Sequence, residues 1–200
     1  MNRFTVLIAA LCLFVTNGCE TKVEPVVVPQ VSLEDLPLVP HPEYDNWSKF
    51  EVGTQVVRQD KLASRDGDVL LYTKLRLAEK SETGIVIETQ TAIERNGVRE
   101  DSDLNSVDYP AKFRLPKGMS IEQFQLPALK AKKSGEEKLV VADKEYVAEV
   151  FTFEDQSEAG PVDVTLWRSL EFPGRQLKKE IIDRKGLVLS SSTISEIKNP

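Results

Sequence analysis

The chain has 200 residues, of which 40% are apolar and 29% charged, the balance of an ordinary globular protein and not of a chain disordered throughout. Its formal charge of −6 becomes −7 without residues 1–18, which carry Arg3 and no acid. A surface of that sign repels phosphate backbones, so nucleic acid is not an expected partner.

Met1-Asn2-Arg3 is a short positive stretch, and Phe4 to Val15 is an apolar run of 12 residues. Such a run is too short to span a bilayer comfortably, which favours a cleaved signal peptide over residues 1–18. Thr16-Asn17-Gly18-Cys19 then resembles the bacterial lipobox, in which a small residue precedes a cysteine that is acylated and becomes the mature N-terminus. Gly18 fits this pattern, and Thr16 stands where leucine is usual. Cys12 lies inside the apolar run and would leave with it, so Cys19 is the one cysteine of the mature chain. A lone cysteine at the cleavage point of an exported protein is better explained by lipid attachment than by a stray thiol. The alternative is an ordinary secretory signal beside an accidental cysteine. The expectation is an exported lipoprotein, anchored to a membrane through a covalent lipid on Cys19 and facing the periplasm or the cell exterior.

Residues 19–43 read as the attachment cysteine and a tether. Pro25, Pro29, Pro37, Pro40 and Pro42 occur there without a glycine. Prolines at that density prevent a helix and strip donors from a sheet, leaving an extended, semi-rigid spacer. Val31 to Val39 packing as a strap on the domain is the alternative. His41, the single histidine, is expected to be solvated.

Residues 44–200 read as one β domain, because the dominant period is two. Thr54 to Leu62 and Val69 to Leu77 flank the turn signal Ser64-Arg65-Asp66-Gly67-Asp68. Val69, Leu71, Thr73, Leu75 and Leu77 share one side of the second strand. In Ile85 to Glu94 the odd positions are apolar or β-branched while Glu88, Gln90 and Glu94 face the other way. Asn96-Gly97 supplies the two φ > 0 residues of a tight hairpin, so the chain returns from Val98. Asp101-Ser102-Asp103-Leu104-Asn105 follows. Its alternate oxygens resemble the start of a calcium loop, but Ser106 and Lys112 stand where glycine and a bidentate acid are required, so no metal is expected.

Ser120 to Lys133 is the one amphipathic candidate, with Ser120 as cap and Gln123 at the third helical position. Pro127 limits it to a short helix or a crossing loop. The Lys130, Lys132 and Lys133 cluster, followed by Glu136 and Glu137, reads as a solvated loop. Further strands are expected at Lys138 to Ala142, Glu145 to Phe153, Val162 to Ser169, Gln176 to Asp183 and Leu187 to Glu196. Their turns fall at Asp143-Lys144, Glu158 to Pro161, Pro173-Gly174 and Arg184 to Gly186. The fold class is mainly β: a single curved antiparallel sheet, half-barrel or barrel-like, with at most one or two short helices.

Triads and dyads built on serine or cysteine need a nearby base, and the mature chain offers one histidine and one cysteine. No catalytic residue, metal site or cofactor is expected. Carboxylates such as Asp66, Asp68, Asp143 and Asp163 lie in or beside predicted turns, where solvation is the default.

Trp47-Ser48-Lys49-Phe50-Glu51-Val52-Gly53-Thr54-Gln55-Val56 resembles the W-x-x-F-x-x-G-[ST]-x-V opening of a group of bacterial exported proteins of unknown function. Ala142 to Tyr146 resembles their turn between two strands, with Asp143 where glycine is common. Trp167-Arg168-Ser169-Leu170-Glu171-Phe172-Pro173-Gly174 resembles their W-x-S-x-x-[VF]-P-G strand end. The resemblance implies a strongly bent antiparallel sheet, similar to the half-barrel of the outer-membrane lipoprotein carriers, with an apolar concave face. It implies no catalytic residue, and fold analogy alone assigns no function.

The reading is therefore a lipid-anchored, non-catalytic binding or scaffold domain of a bacterial cell envelope, partnered by an envelope protein. The alternative is a carrier or sensor of an acyl chain or another apolar small molecule. For an apolar groove the period-two pattern nominates Leu71, Leu75, Ile85, Ile87 and Ile93, with Trp167 at a sheet end. A filled core is favoured over an open one, because Thr73, Thr89 and Thr91 interrupt the apolar faces.

Overall fold

The computed structural model describes residues 36–200, apart from 65, 66, 68 and 159. The expected signal peptide, Cys19, the first part of the expected tether, and Asp66 and Asp68 lie outside the described residues. No helix among the described residues is long and apolar enough to cross a membrane.

Nine strands form one antiparallel path: β5 (Val98–Asp101), β4 (Gly84–Arg95), β3 (Val69–Lys80), β2 (Gln55–Leu62), β12 (Val188–Lys198), β11 (Gln176–Asp183), β10 (Gly160–Arg168), β9 (Lys144–Ser157) and β8 (Lys132–Val141). A tenth, β6 (Asn105–Pro110), pairs with residues 84–89 of β4, beyond the four residues held by β5. The sheet does not close, since β8 forms one edge and β5 with β6 the other. β1 (Leu38–Pro40) and β7 (Lys112–Arg114) make a separate two-stranded ladder. Two short helices complete the fold, α1 (Pro42–Trp47) and α2 (Ile121–Gln125). The chain is thus a mainly β protein built on one curved antiparallel sheet.

The bends have identifiable sources. Register shifts insert one extra residue at Ala78, Ser134, Leu177, Leu189 and Ser195. Each such bulge kinks its strand and strengthens the local twist. At two of them the extra residue is a serine whose hydroxyl donates to the neighbouring strand: Ser134 to Val150 O and Ser195 to Val57 O, both at 3.2 Å. The ladder bond lost to the bulge is replaced by a side chain.

Asn96 and Gly97 have φ of 51° and 76°, as the hairpin between β4 and β5 requires. Between β8 and β9 the left-handed pair is Ala142 and Asp143, at 48° and 63°, one residue earlier than the turn expected from sequence. α2 begins with the anticipated capping box. Ser120 Oγ accepts from Gln123 N–H at 3.2 Å, and Gln123 Oε1 accepts from Ser120 N–H at 2.9 Å. The basic stretch differs from expectation: Lys132 and Lys133 open β8, and Lys133 pairs with Glu136 and with Glu149 across the ladder.

The fold also takes in residues 38–43, which the sequence assigns to the tether. Prolines 37, 40 and 42 are accommodated because this strand has one partner and Pro42 sits at the first helical position, where its missing N–H costs nothing. α1 carries Asn46 and Trp47, both 1% exposed, into the core. Asn46 Nδ2 donates to Leu170 O at 3.2 Å and Phe172 O at 3.0 Å, and its Oδ1 accepts from Gly174 N–H at 2.8 Å. The recipient is a four-residue turn, closed by Arg175 N–H to Phe172 O at 2.9 Å, with Pro173 second and Gly174 third at φ 75°. Trp47 lies on that turn, and fully buried Phe172 meets Tyr146 edge-to-face at 5.4 Å.

A Cβ on Gly174 would stand 3.3 Å from the Trp47 ring and 3.5 Å from Leu75, whereas one on Gly97, with nearly the same φ, meets nothing within 4 Å. Gly97→Ala should therefore cost only the backbone term, about 1 kcal/mol. Gly174→Ala should cost a further ~1–3 kcal/mol from overpacking. Urea unfolding of both variants checks the difference, and equal losses would show that Trp47 does not press on the turn.

Candidate functional site

Residues opposed across a ladder share a face, so the register defines the face that carries α1. Thr89, Leu75, Val56 and Ile197 form its first row, under Trp47. Thr91, Thr73, Arg58 and Ile194 form the next. A third row runs Ile93, Leu71, Asp60, Ser192, Lys179, Leu166 and Phe151 across seven strands. The fourth includes Val69, Leu62, Ser190, Ile181, Val164 and Phe153. This inner face is filled at the α1 end, polar in the middle and apolar again along β9 and β10.

The nominated residues do not share one face, since Trp167, opposed to Val150 and Lys178, points away from the row that carries Leu166. Ile85 (2% exposed), Ile87 (4%) and Trp167 (7%) lie in the main buried cluster, and Leu75 packs against it. Leu71 is half-buried, and Ile93 is 40% exposed. Trp167 Nε1 donates to the Glu137 carboxylate at 2.8 Å, and Lys178 stands over its ring at 4.4 Å. A groove of about 750 Å³ lies elsewhere, lined by Leu129, Ala131, Phe153 and Val164 and also by Thr152, Thr165 and the charged Lys130, Lys132, Glu154 and Asp163. Period-two reading could not find it, because it depends on the 126–131 segment crossing the face of β9 and β10.

His41 is a structural residue. Its Nδ1 accepts from Glu43 N–H at 3.1 Å as the cap of α1, and its ring contacts Tyr109 at 5.2 Å and Phe113 at 5.1 Å. Phe113 in turn meets Phe124 of α2 at 4.4 Å, so one aromatic cluster joins the β1–β7 ladder to α2. Burial lowers the His41 pKa and raises that of Tyr109. Among the described residues no group of three or more His, Cys, Asp or Glu side chains is placed to hold a metal ion. Of the acids in the calcium-like stretch, Asp101 lies on β5 and pairs with Arg99.

The polar middle of the inner face holds three guanidiniums. Arg175 pairs with Glu43 of α1. Arg58 donates from Nη1 to Gln176 Oε1 at 3.1 Å, while its Nε is buried without a partner. Arg168 donates to Gln125 O at 3.0 Å and lies over the Phe151 ring, with no carboxylate in ion-pair range among the described residues. Burial first, and Arg175 second, push the Arg168 pKa down to about 10. Nothing in the sequence marked these arginines, which sit on three different strands or loops and meet only in the fold.

No protein-family model and no curated protein matches the chain. Solved structures similar to it include a protein from Bacteroides fragilis named as exported with a YmcC-like fold, at 9% identity over 75% of this chain and 97% of that one, TM-score 0.48. A protein from Parabacteroides distasonis named as a lipoprotein is 10% identical over 74% and 96%, TM-score 0.44. An outer-membrane lipoprotein-sorting domain from Vibrio parahaemolyticus is 11% identical over 84% and 93%, TM-score 0.26. These neighbours are thus exported, lipoprotein or lipoprotein-sorting proteins, and at such scores the likeness brings no ligand, partner or residue role to this chain.

The lowered His41 pKa has a sign that can be checked. Its ordinary value is 6.5, so below that pH the unfolded chain binds more protons than the folded one, and stability falls as pH drops. Glu43 opposes this effect and Arg175 reinforces it. His41→Asn retains a good helix cap without a titrating ring. The urea midpoint of the wild type should fall more steeply than that of the variant between pH 7.5 and 5. Parallel curves would contradict the burial of the ring.

Proposed function

We propose that the chain is a lipid-anchored, non-catalytic binding or scaffold domain of a bacterial cell envelope, held to its membrane through Cys19. The observation that carries the binding reading is the partly open inner face. α1 and the Phe172 to Arg175 turn fill one end of it, while the groove lined by Leu129, Ala131, Phe153 and Val164 stays open at the other. His41, the one histidine, is engaged as a cap and ring contact, which supports a non-catalytic domain. Export and the anchor rest on the positive and apolar opening of the chain and on Cys19 following Gly18. Two or more acyl chains anchor stably where one does not.

The second reading, a carrier or sensor of an acyl chain or other apolar molecule, is supported by the size of that groove and by the Leu129, Phe153 and Val164 side chains in its wall. The two readings differ in what the groove holds and agree on the anchor.

Radiolabelled palmitate supplied to cells producing the full chain should label the wild type and leave Cys19→Ser unlabelled, unprocessed or released from the membrane. Equal label in both would refute the lipoprotein reading.

A further inference from the structure

Arg58, Arg168 and Arg175 occupy a part of the inner face that the binding reading has not yet used. Arg168 and Arg175 together line two hollows, of about 330 Å³ and 280 Å³, which also share Gln125 and Leu126. Gln176 forms part of the larger hollow's wall and is held from behind, accepting from Arg58 and donating from Nε2 to Ser192 Oγ at 3.2 Å. Arg175 is paired with Glu43, whereas Arg168 has no ion-pair partner among the described residues, although Asp45, Glu122 and Glu149 also line the smaller hollow. Glu149, opposite Arg168 on β9, is held at 2.8 Å by Lys133. Asp60, one row away on the strand of Arg58, and Glu43 both favour its charge but only partly offset its burial.

Taking a guanidinium out of water without a paired anion is costly, and placing a second one beside it adds repulsion. A protein retains such an arrangement at a loss of stability, and the loss is recovered when an anion enters. Guanidinium forks match the geometry of carboxylate and phosphate oxygens. We propose that Arg168 and Arg175, backed by Arg58, form a binding site for a single oxyanion, a carboxylate or a phosphate monoester, that enters beneath the segment between α2 and β8. Leu166, in the wall of the larger hollow, is two residues from Val164 in the apolar groove on the same face of β10. The site therefore admits either a free oxyanion or one carried by an apolar tail lying toward Val164 and Phe153.

The inference deepens the binding reading of the inner face and is independent of the anchor. Failure of palmitate labelling leaves the arginine site untouched, and failure of oxyanion binding leaves the anchor untouched.

The test is isothermal titration of the full chain with inorganic phosphate, octanoate, octyl phosphate and octanol at two salt concentrations. At least one oxyanion probe should bind saturably at one site, more weakly at higher salt, and raise the melting temperature. Octanol should not displace it. Arg168→Gln should weaken that binding at least tenfold, with Arg168→Lys recovering part of it, while Lys178→Gln, on the Trp167 ring, leaves it unchanged. Saturation by phosphate alone identifies a free anion, and saturation only by the octyl probes identifies an amphiphile. The proposal is overturned if no oxyanion binds saturably, if octanol competes as well as octanoate, or if folded Arg168→Gln binds as the wild type does.

Discussion

The fold depends on a clasp made by two adjacent residues of a one-and-a-half-turn helix. Asn46 satisfies two carbonyls and one amide of the turn between β10 and β11, and Trp47 covers the glycine that lets the turn form. Each of those backbone groups is remote from any ladder, and a buried polar group left unpaired costs about 1–3 kcal/mol. The clasp thus joins the start of the described chain to a point more than 120 residues later, where no strand pairing connects them. It explains why an open sheet with two free edges holds a defined curvature: the bulges permit the bend, and the clasp fixes where the α1 end of the inner face is shut.

The position of the clasp sets what is left for function. Core packing extends from Trp47 to Leu77, Ile85 and Ile87 on one side and to Tyr146 and Val150 on the other. Beyond Val56 and Leu75 the α1 face turns polar at Arg58 and Asp60, then apolar at Leu166 and Val164, while Tyr146 and Val150 point to the opposite side of β9 from Phe151. α2 and the segment after it stand over that outer region, held to the body by the Phe113 and Phe124 rings and by Arg168. Local stability follows such contacts, so the outer region is expected to open more readily than the clasp. Binding surfaces are drawn from that part, and the rigid clasp supplies the frame against which a ligand would be held.

Much of the sheet was legible because its causes are local. The alternation in β4, the Asn96-Gly97 turn and the capping box at Ser120 each act within a few residues, and each is found where the pattern puts it. Two of the three segments that carried the resemblance, around Trp47 and around Pro173-Gly174, proved to be the two halves of the clasp. Sequence could quote them but not join them, since nothing local announces a contact across 126 residues such as Asn46 to Phe172. β1 and the first two residues of α1 were assigned to the tether because proline density forbids a central strand but tolerates a singly paired one. β6 escaped because its six residues are mostly exposed and its alternation rests on Val107 and Tyr109 alone. The arginine cluster had no signal at all: three cations far apart in sequence come together only when β2, β10 and the turn after β10 meet in the fold.

Native-state hydrogen exchange of the full chain tests the clasp as the rigid frame most directly. The Gly174 amide, bonded to buried Asn46, should exchange only with the slow amides of the central strands. The Ala131 amide, bonded to Ala128 O within the crossing segment, should exchange faster through local opening. If Gly174 exchanges as fast as Ala131 while the central strands stay protected, the clasp opens on its own and cannot be what holds the inner face in shape.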